Sequence, residues 1–156
     1  TKDGIHYLAK DSILHAPGNG GGAKGGGVIG AMRDGTDAHT VMDAMRVLKN
    51  GEKISMFPEG TRNKTGSDEF LPFHGGSALL AIKTKTPVIP FVICTPPKFL
   101  RRTHVVFGEP MELSEYYDKK LTPADYEAAE EKLKARLYEL RANFRAEQTA
   151  KKKRKK

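Results

Sequence analysis

The stretch Lys-Ile-Ser-Met-Phe-Pro-Glu-Gly-Thr-Arg, residues 53–62, decides the fold. Polar and apolar residues alternate from Lys53 to Met56, as they do in a half-buried β-strand. Proline has no backbone N–H to donate within a sheet, so Pro58 should end the strand. We therefore expect the residues after Phe57 to be displayed as an exposed turn at the carboxyl end of this strand.

The turn combines groups that suit an anion. Gly60 lets the backbone approach a ligand closely, and Arg62 carries a guanidinium that can donate two parallel hydrogen bonds to phosphate oxygens. Glu59 adds a carboxylate and Thr61 a hydroxyl. The alternative is an ordinary turn with a surface ion pair between Glu59 and Arg62, which would contribute little to stability.

Residues 57–62, Phe-Pro-Glu-Gly-Thr-Arg, resemble a motif of the glycerophospholipid acyltransferases, the family that includes the 1-acyl-sn-glycerol-3-phosphate (lysophosphatidic acid) acyltransferases. Residues 27–33 resemble a second motif of the family, a glycine followed six positions later by arginine. Residues 86–93 resemble its proline-rich fourth motif. Residues 71–76 match a further pattern, in which His74 takes the place of the usual lysine. The likeness extends over residues 5–115.

The catalytic motif of this family is Asn-His followed after four residues by Asp, with the histidine as general base. Residues 10–14, Lys-Asp-Ser-Ile-Leu, resemble the segment that follows that motif, which places the motif upstream of Thr1. His6 and Asp11 have the same spacing, but they fall on the later strand and too close to Glu59. We therefore interpret the His6–Asp11 spacing as coincidental, and the catalytic residues stay unassigned.

The resemblance implies acyl transfer from acyl-CoA or acyl carrier protein to 1-acyl-sn-glycerol 3-phosphate, which produces phosphatidate for phospholipid biosynthesis. The acceptor's phosphate would be bound by Arg33, Glu59, Gly60, Thr61 and Arg62, with the guanidiniums as charged donors and Glu59 orienting them or an acceptor hydroxyl. No metal or cofactor is implied besides the acyl donor. A catalytically incomplete fragment that binds only glycerol phosphates or a membrane is an alternative.

Residues 16–27 contain seven of the chain's 16 glycines and are expected to form a flexible linker. In the family this interval is an aromatic, amphipathic stretch that faces the membrane, so the glycine-rich interval lacks the side chains that would contact the acyl chain and the membrane. Residues 20–25 also fit the Gly-x-Gly-x-x-Gly dinucleotide pattern. In a glycine tract that match is expected by chance, because no strand leads into it.

Length and charge limit the classes of protein. A chain of 156 residues fits one domain with a buried core. Residues 151–156 contribute six of the positive charges behind the net +8, which leaves +2 for the rest. We expect a solvated, disordered basic tail that contacts an anionic membrane surface. Basic residues do not alternate with aromatic ones, so the sequence does not favour nucleic acid as a partner.

The sequence contains no apolar run of membrane-spanning length and no signal-peptide pattern. We therefore expect a peripheral protein on the cytoplasmic face of a membrane. The single cysteine, Cys94, excludes an internal disulfide, and it ends an apolar run in which a buried thiol is expected.

Helix and strand patterns alternate along the chain. Strands are expected at residues 5–10, 53–57, 88–94 and 104–107, and residues 28–33 are a short apolar segment that ends in a cation. Helices are expected from a turn and cap at residues 34–37 to about Lys49 and over residues 76–85. This alternation predicts an α/β fold with a mixed, partly parallel sheet flanked by helices and with ligands at the carboxyl ends of strands. The resemblance implies the glycerol-3-phosphate acyltransferase form of this fold.

The last helix has the clearest pattern. Thr122 can cap it, Pro123 suits its first position, and apolar residues recur every three or four positions from Tyr126 to Phe144. We expect this amphipathic helix to pack on its own domain, although a membrane-surface helix is the alternative. The predicted organisation is an acyltransferase-like α/β domain over residues 1–115 that lacks its N-terminal part, a packed helical segment over 116–150, and the tail 151–156.

Overall fold

The computed structural model describes residues 4–10, 27–31, 38–64, 67–95, 99–100 and 102–154. Five strands and three α-helices lie in these residues. In chain order they are β1 (Ile5–Lys10), β2 (Val28–Ala31), α1 (Ala38–Lys49), β3 (Lys53–Ser55), α2 (Gly76–Thr84), β4 (Phe91–Ile93), β5 (Val105–Phe107) and α3 (Pro123–Lys153). A short 3₁₀ turn, Ser114–Tyr116, precedes α3.

The first three strands form a parallel sheet in the order β2-β1-β3. Tyr7 lies at the centre, opposite Val28 on β2 and Ser55 on β3. Strands that run parallel in one sheet need a crossover connection, and α1 lies in the connection between β2 and β3, which flank β1, and packs against both of them. The other two strands, β4 and β5, pair antiparallel. The predicted α/β fold with a parallel sheet flanked by helices is therefore confirmed, and the described parallel and antiparallel strands form two sheets, not one mixed sheet.

Two strands are at least two residues shorter than the sequence predicted. β3 ends at Ser55 and not at Phe57, because the chain leaves the sheet beyond the Tyr7–Ser55 pair. β4 begins only at Phe91, since Pro90 has no N–H for a ladder and Val88 forms an isolated bridge with Met111. Both predictions of strand length were wrong, although the positions of the strands are correct.

The start of α3 is as predicted. The Thr122 hydroxyl accepts a hydrogen bond from the Asp125 amide, and the Asp125 carboxylate accepts one from the Thr122 amide at 2.7 Å. The predicted apolar face packs inward, with Ala129, Leu133 and Leu140 buried. The helix therefore packs on its own domain.

α3 does not end where the basic tail was predicted to begin. It continues through Lys153, so the prediction of a disordered tail is wrong for Lys151–Lys153. These side chains are exposed, and cations in the last turn of a helix are stabilised by the negative end of its dipole.

The core lies between α2, α3 and the segment before the 3₁₀ turn. Its buried members are Ala78, Ala81, Ile82, Leu113, Ala129 and Leu133. Beside them, the buried Glu130 carboxylate accepts hydrogen bonds from the Ser77 hydroxyl and the Ala78 amide at the start of α2. Because no side chain at Gly75 caps α2, Glu130 of α3 takes that role and ties the two helices together.

Some predicted features lie outside the described residues, namely the glycine-rich interval before Gly27, the turn and cap at residues 34–37, Arg33 and Asp11. None of the helices in the described ranges has the length and apolar composition that crossing a bilayer requires. In the same ranges no three His, Cys, Asp or Glu side chains are grouped so that they could bind a metal ion.

Candidate phosphate-binding site

The turn after β3 depends on a glycine. The Gly60 amide donates to the Phe57 carbonyl at 3.0 Å, and Gly60 has a φ of 59° in the left-handed region. A β-carbon at this position would lie 3.1 Å from Cδ2 of His74. Glycine is therefore required both by the backbone conformation and by the ring that packs on it.

The side chains of Glu59 and Asn63, on either side of residues 60–62, hold the turn against a later segment of the chain. Oε2 of Glu59 accepts a hydrogen bond from the Leu71 amide at 2.7 Å, and the Asn63 side-chain amide donates to the Glu69 carbonyl at 2.7 Å. The His74 amide also donates to the Pro58 carbonyl at 3.2 Å. The three residues between Glu59 and Asn63 are thereby presented on a supported turn.

Thr61 and Arg62 are both exposed on that turn. In the part of the chain that the structure describes, Arg62 has no ion pair or hydrogen bond. The surface pair with Glu59 that the sequence left open is therefore not formed, and Glu59 contacts a backbone amide in its place. The structure thus brings Glu59, Gly60, Thr61 and Arg62 together with a guanidinium that can receive an incoming anion.

His6 lies at the other end of the parallel sheet. Its Nε2 is 2.7 Å from Oε2 of Glu52, which immediately precedes β3, whereas the Gly60 turn follows β3. The His6–Glu52 pair therefore lies at the amino end of β3 and the candidate site at its carboxyl end. The sequence could not reveal this pair, because the two residues are 46 positions apart.

His74 and Cys94 are two further side chains with reactive groups. The His74 ring packs on Gly60, a role that the sequence did not predict. The position of His74 within residues 71–76, a segment that resembles a family pattern, could have indicated this role. Cys94 is only partly buried, so the expectation of a buried thiol was wrong, and this partial burial raises the pKa of the Cys94 thiol. A raised pKa keeps the thiol protonated at neutral pH, so Cys94 is a poor nucleophile.

Comparison with known proteins decides the family. The sequence model of the family described as Acyltransferase matches residues 2–94, a range that contains the Gly60 turn, Leu71 and His74. The chain belongs to the acyltransferase family.

Several relatives of this chain are named as 1-acyl-sn-glycerol-3-phosphate acyltransferases. It is 35% identical over 106 residues to 1-acyl-sn-glycerol-3-phosphate acyltransferase alpha of Mus musculus, a match that covers 66% of this chain and 36% of that protein. It is 30% identical over 92 residues to 1-acyl-sn-glycerol-3-phosphate acyltransferase of Borreliella burgdorferi, covering 51% of this chain and 36% of that protein.

A crystal structure shares the fold. The 1-acyl-sn-glycerophosphate (LPA) acyltransferase PlsC of Thermotoga maritima superposes with a TM-score of 0.55 at 24% identity, covering 91% of this chain and 58% of that one. The chain thus spans 36% of the length of the two relatives above and 58% of this structural neighbour. α3 lies outside the range that the family model matches.

Proposed function

We propose that this protein transfers an acyl group to the free hydroxyl of 1-acyl-sn-glycerol 3-phosphate, and that the turn at Glu59–Arg62 binds the acceptor's phosphate. Membership of the acyltransferase family and relatives named for this reaction support the activity. The observation that carries the assignment of the site is the exposed Arg62 guanidinium on a turn that Gly60 shapes and Glu59 supports.

In the proposed reaction the acceptor hydroxyl attacks the carbonyl carbon of a thioester. A C–O bond forms, the C–S bond breaks, and the hydroxyl proton ends on the thiol of coenzyme A or acyl carrier protein. Both donors fit this chemistry, and the product, phosphatidate, enters phospholipid biosynthesis. No metal or further cofactor takes part in the proposal.

The described residues contribute binding and orientation. Arg62 can place two N–H donors on two phosphate oxygens, and the Thr61 hydroxyl can add a third donor. Fixing the phosphate fixes the glycerol hydroxyl relative to the acyl donor, which lowers the entropic barrier to attack. Arg33, the second guanidinium that the sequence assigns to this phosphate, remains part of the proposal.

Binding of glycerol phosphates without catalysis is a second candidate function. One observation bears on it: the described His6–Glu52 pair lies at the opposite end of β3 from the candidate site, so His6 is not positioned to act as a general base there. The two candidates share the phosphate site and differ in whether the chain turns over substrate.

Replacing Arg62 tests the shared site. Arg62→Lys keeps the charge but loses the two-pronged geometry, so glycerol 3-phosphate should bind more weakly. Arg62→Ala should weaken binding further, by roughly 1.5–3 kcal/mol, the value of a hydrogen bond to a charged group. Calorimetric titration measures both, and Arg136→Ala, which removes an arginine paired with Glu139 within α3, is the matched control. Unaltered affinity together with a much lower melting temperature would assign Arg62 a structural role.

Thiol release from acyl-CoA in the presence of lysophosphatidate distinguishes the two candidates. Acyl transfer predicts thiol release that requires lysophosphatidate and that Arg62→Ala slows, whereas binding alone predicts no thiol release. Turnover that falls roughly 10²- to 10⁴-fold in His6→Ala, the usual cost of losing a general base, would make His6 the base. Normal turnover that survives His6→Ala would favour the enzyme and leave the base elsewhere.

A further inference from the structure

Three side chains on one face of α3 hold the segment Asp68–Leu71. Tyr138, Arg141 and Arg145 lie at i, i+3 and i+7, a spacing that aligns side chains along a helix. We call them the α3 clamp. Each contacts a residue at least 68 positions away in the chain, so the clamp is a tertiary feature and not a local one.

The clamp contacts both backbone and side chains. The Tyr138 hydroxyl accepts a hydrogen bond from the Phe70 amide at 3.1 Å, and the two rings pack edge to face with centroids 4.8 Å apart. The Arg141 guanidinium lies 3.9 Å from the centroid of the Phe70 ring and donates to the Asp68 carbonyl. Phe70 is thus held between an aromatic ring and a cation.

An ion pair completes the clamp. Nη2 of Arg145 is 2.5 Å from Oδ1 of Asp68. The hydrogen bond and the positive charge of Arg145 lower the pKa of the Asp68 carboxyl, and the same pair raises the pKa of Arg145. Both groups are exposed, so this contact orients the segment and adds little to overall stability.

The clamped segment also supports the phosphate-binding turn. Phe70 donates its amide to Tyr138, and the next amide, that of Leu71, is donated to Glu59. The neighbouring Glu69 carbonyl accepts from Asn63. One short piece of chain is therefore held by α3 on one side and, on the other, holds the two residues that flank the Gly60 turn.

We propose that Tyr138, Arg141 and Arg145 are positioning residues for the phosphate site, acting through Asp68–Leu71 on Glu59 and Asn63. The proposal rests on the proposed phosphate-binding role of Arg62. In this proposal α3, a helix outside the range that the family model matches, helps to position the phosphate-binding turn.

The first test removes single polar groups from the clamp. Tyr138→Phe keeps the ring but loses the oxygen that accepts from Phe70, and we expect glycerol 3-phosphate to bind roughly fivefold more weakly, the equivalent of one ordinary hydrogen bond. Tyr126→Phe, on the same helix but against the core, is the matched control. Arg145→Gln should also weaken binding, whereas Arg136→Gln, which breaks an ion pair within α3, should not.

A double-mutant cycle separates positioning from general stabilisation. If Tyr138 acts through the turn, Tyr138→Phe should have little further effect on affinity in an Arg62→Ala background, while its effect on unfolding should persist. Exchanging the charges, with Asp68→Arg and Arg145→Asp together, should restore affinity lost by either change alone. Equal affinity loss from Tyr138→Phe in both backgrounds would overturn the proposal.

Hydrogen exchange keeps the proposal separate from the function on which it rests. Tyr138→Phe should speed exchange of the Leu71 and Gly60 amides, which are bonded to Glu59 and Phe57. If the exchange rates of both amides are unchanged, the proposed positioning role of the α3 clamp is wrong, whether or not glycerol 3-phosphate binds. If the unaltered chain fails to bind glycerol 3-phosphate, the proposed function fails, and exchange alone then decides whether α3 positions the turn.

Discussion

Gly60 is the residue on which the local shape of the site depends. A side chain there would have to adopt a φ of 59° and would meet the His74 ring at 3.1 Å. We expect Gly60→Ala to lower the free energy of unfolding by about 1–3 kcal/mol, the usual range for a strained left-handed residue, and to weaken glycerol 3-phosphate binding as well. Urea denaturation and calorimetric titration measure the two effects.

Gly51 provides the control for this substitution. It has a φ of 79°, and a β-carbon added there would meet no atom of the described residues within 4 Å. Gly51→Ala therefore introduces the backbone strain without the contact with His74, and it should lower stability and leave the ligand affinity unchanged. A similar loss of affinity from both substitutions would show that the Gly60 turn is not the binding site.

At the scale of the element, the start of α3 depends on the ionisation of Asp125. Hydrogen bonds from the Thr122 amide and hydroxyl lower the pKa of the Asp125 carboxyl. A carboxyl whose pKa is lowered in the folded state stabilises that state above its unfolded pKa of about 3.9, and this contribution is lost as the pH falls through the lower, folded value.

Asp125→Ala should therefore destabilise the protein at pH 7, and its difference from the unaltered chain should shrink as the pH falls below about 4. Urea denaturation at a series of pH values measures this difference. Glu127→Ala, two residues further along α3 and outside the capping box, is the control. A destabilisation by Asp125→Ala that stays constant down to acid pH would contradict the role of the ionised carboxylate.

At the scale of the whole molecule, positive charge is concentrated at the far end of α3. Lys151, Lys152, Lys153 and Arg154 are exposed where the helix ends. The helix that carries these cations also packs against the core through Ala129 and Leu133. We propose that this end contacts the anionic surface of a membrane, with the protein peripheral on the cytoplasmic face.

Deleting residues 151–156 should weaken binding to anionic vesicles and leave binding to neutral vesicles unchanged, since each cation near the surface contributes about 1 kcal/mol. Vesicle sedimentation at low salt measures this. Replacing the exposed Lys119 and Lys120 with glutamine is the control for charge loss elsewhere. Equal binding with and without residues 151–156 would exclude this end of α3 as a membrane contact.

The sequence by itself determined the features that depend on neighbouring residues. The turn after β3, the capping box at Thr122 and the apolar face of α3 follow from short patterns of proline, glycine, hydroxyl and apolar residues, whose conformational preferences act over a few positions. The same patterns predicted the α/β class. They overestimated the lengths of β3 and β4, because strand ends depend on where a partner strand stops.

Only the tertiary structure decided which groups meet at the site. Glu59 binds the Leu71 amide, His74 packs on Gly60, and His6 pairs with Glu52 at the opposite end of the sheet. The Phe70 amide meets Tyr138 across 68 positions of the chain. Such contacts depend on the packing of whole elements against one another, and the residue types involved have several possible partners, so no local pattern specifies which partner each of them meets.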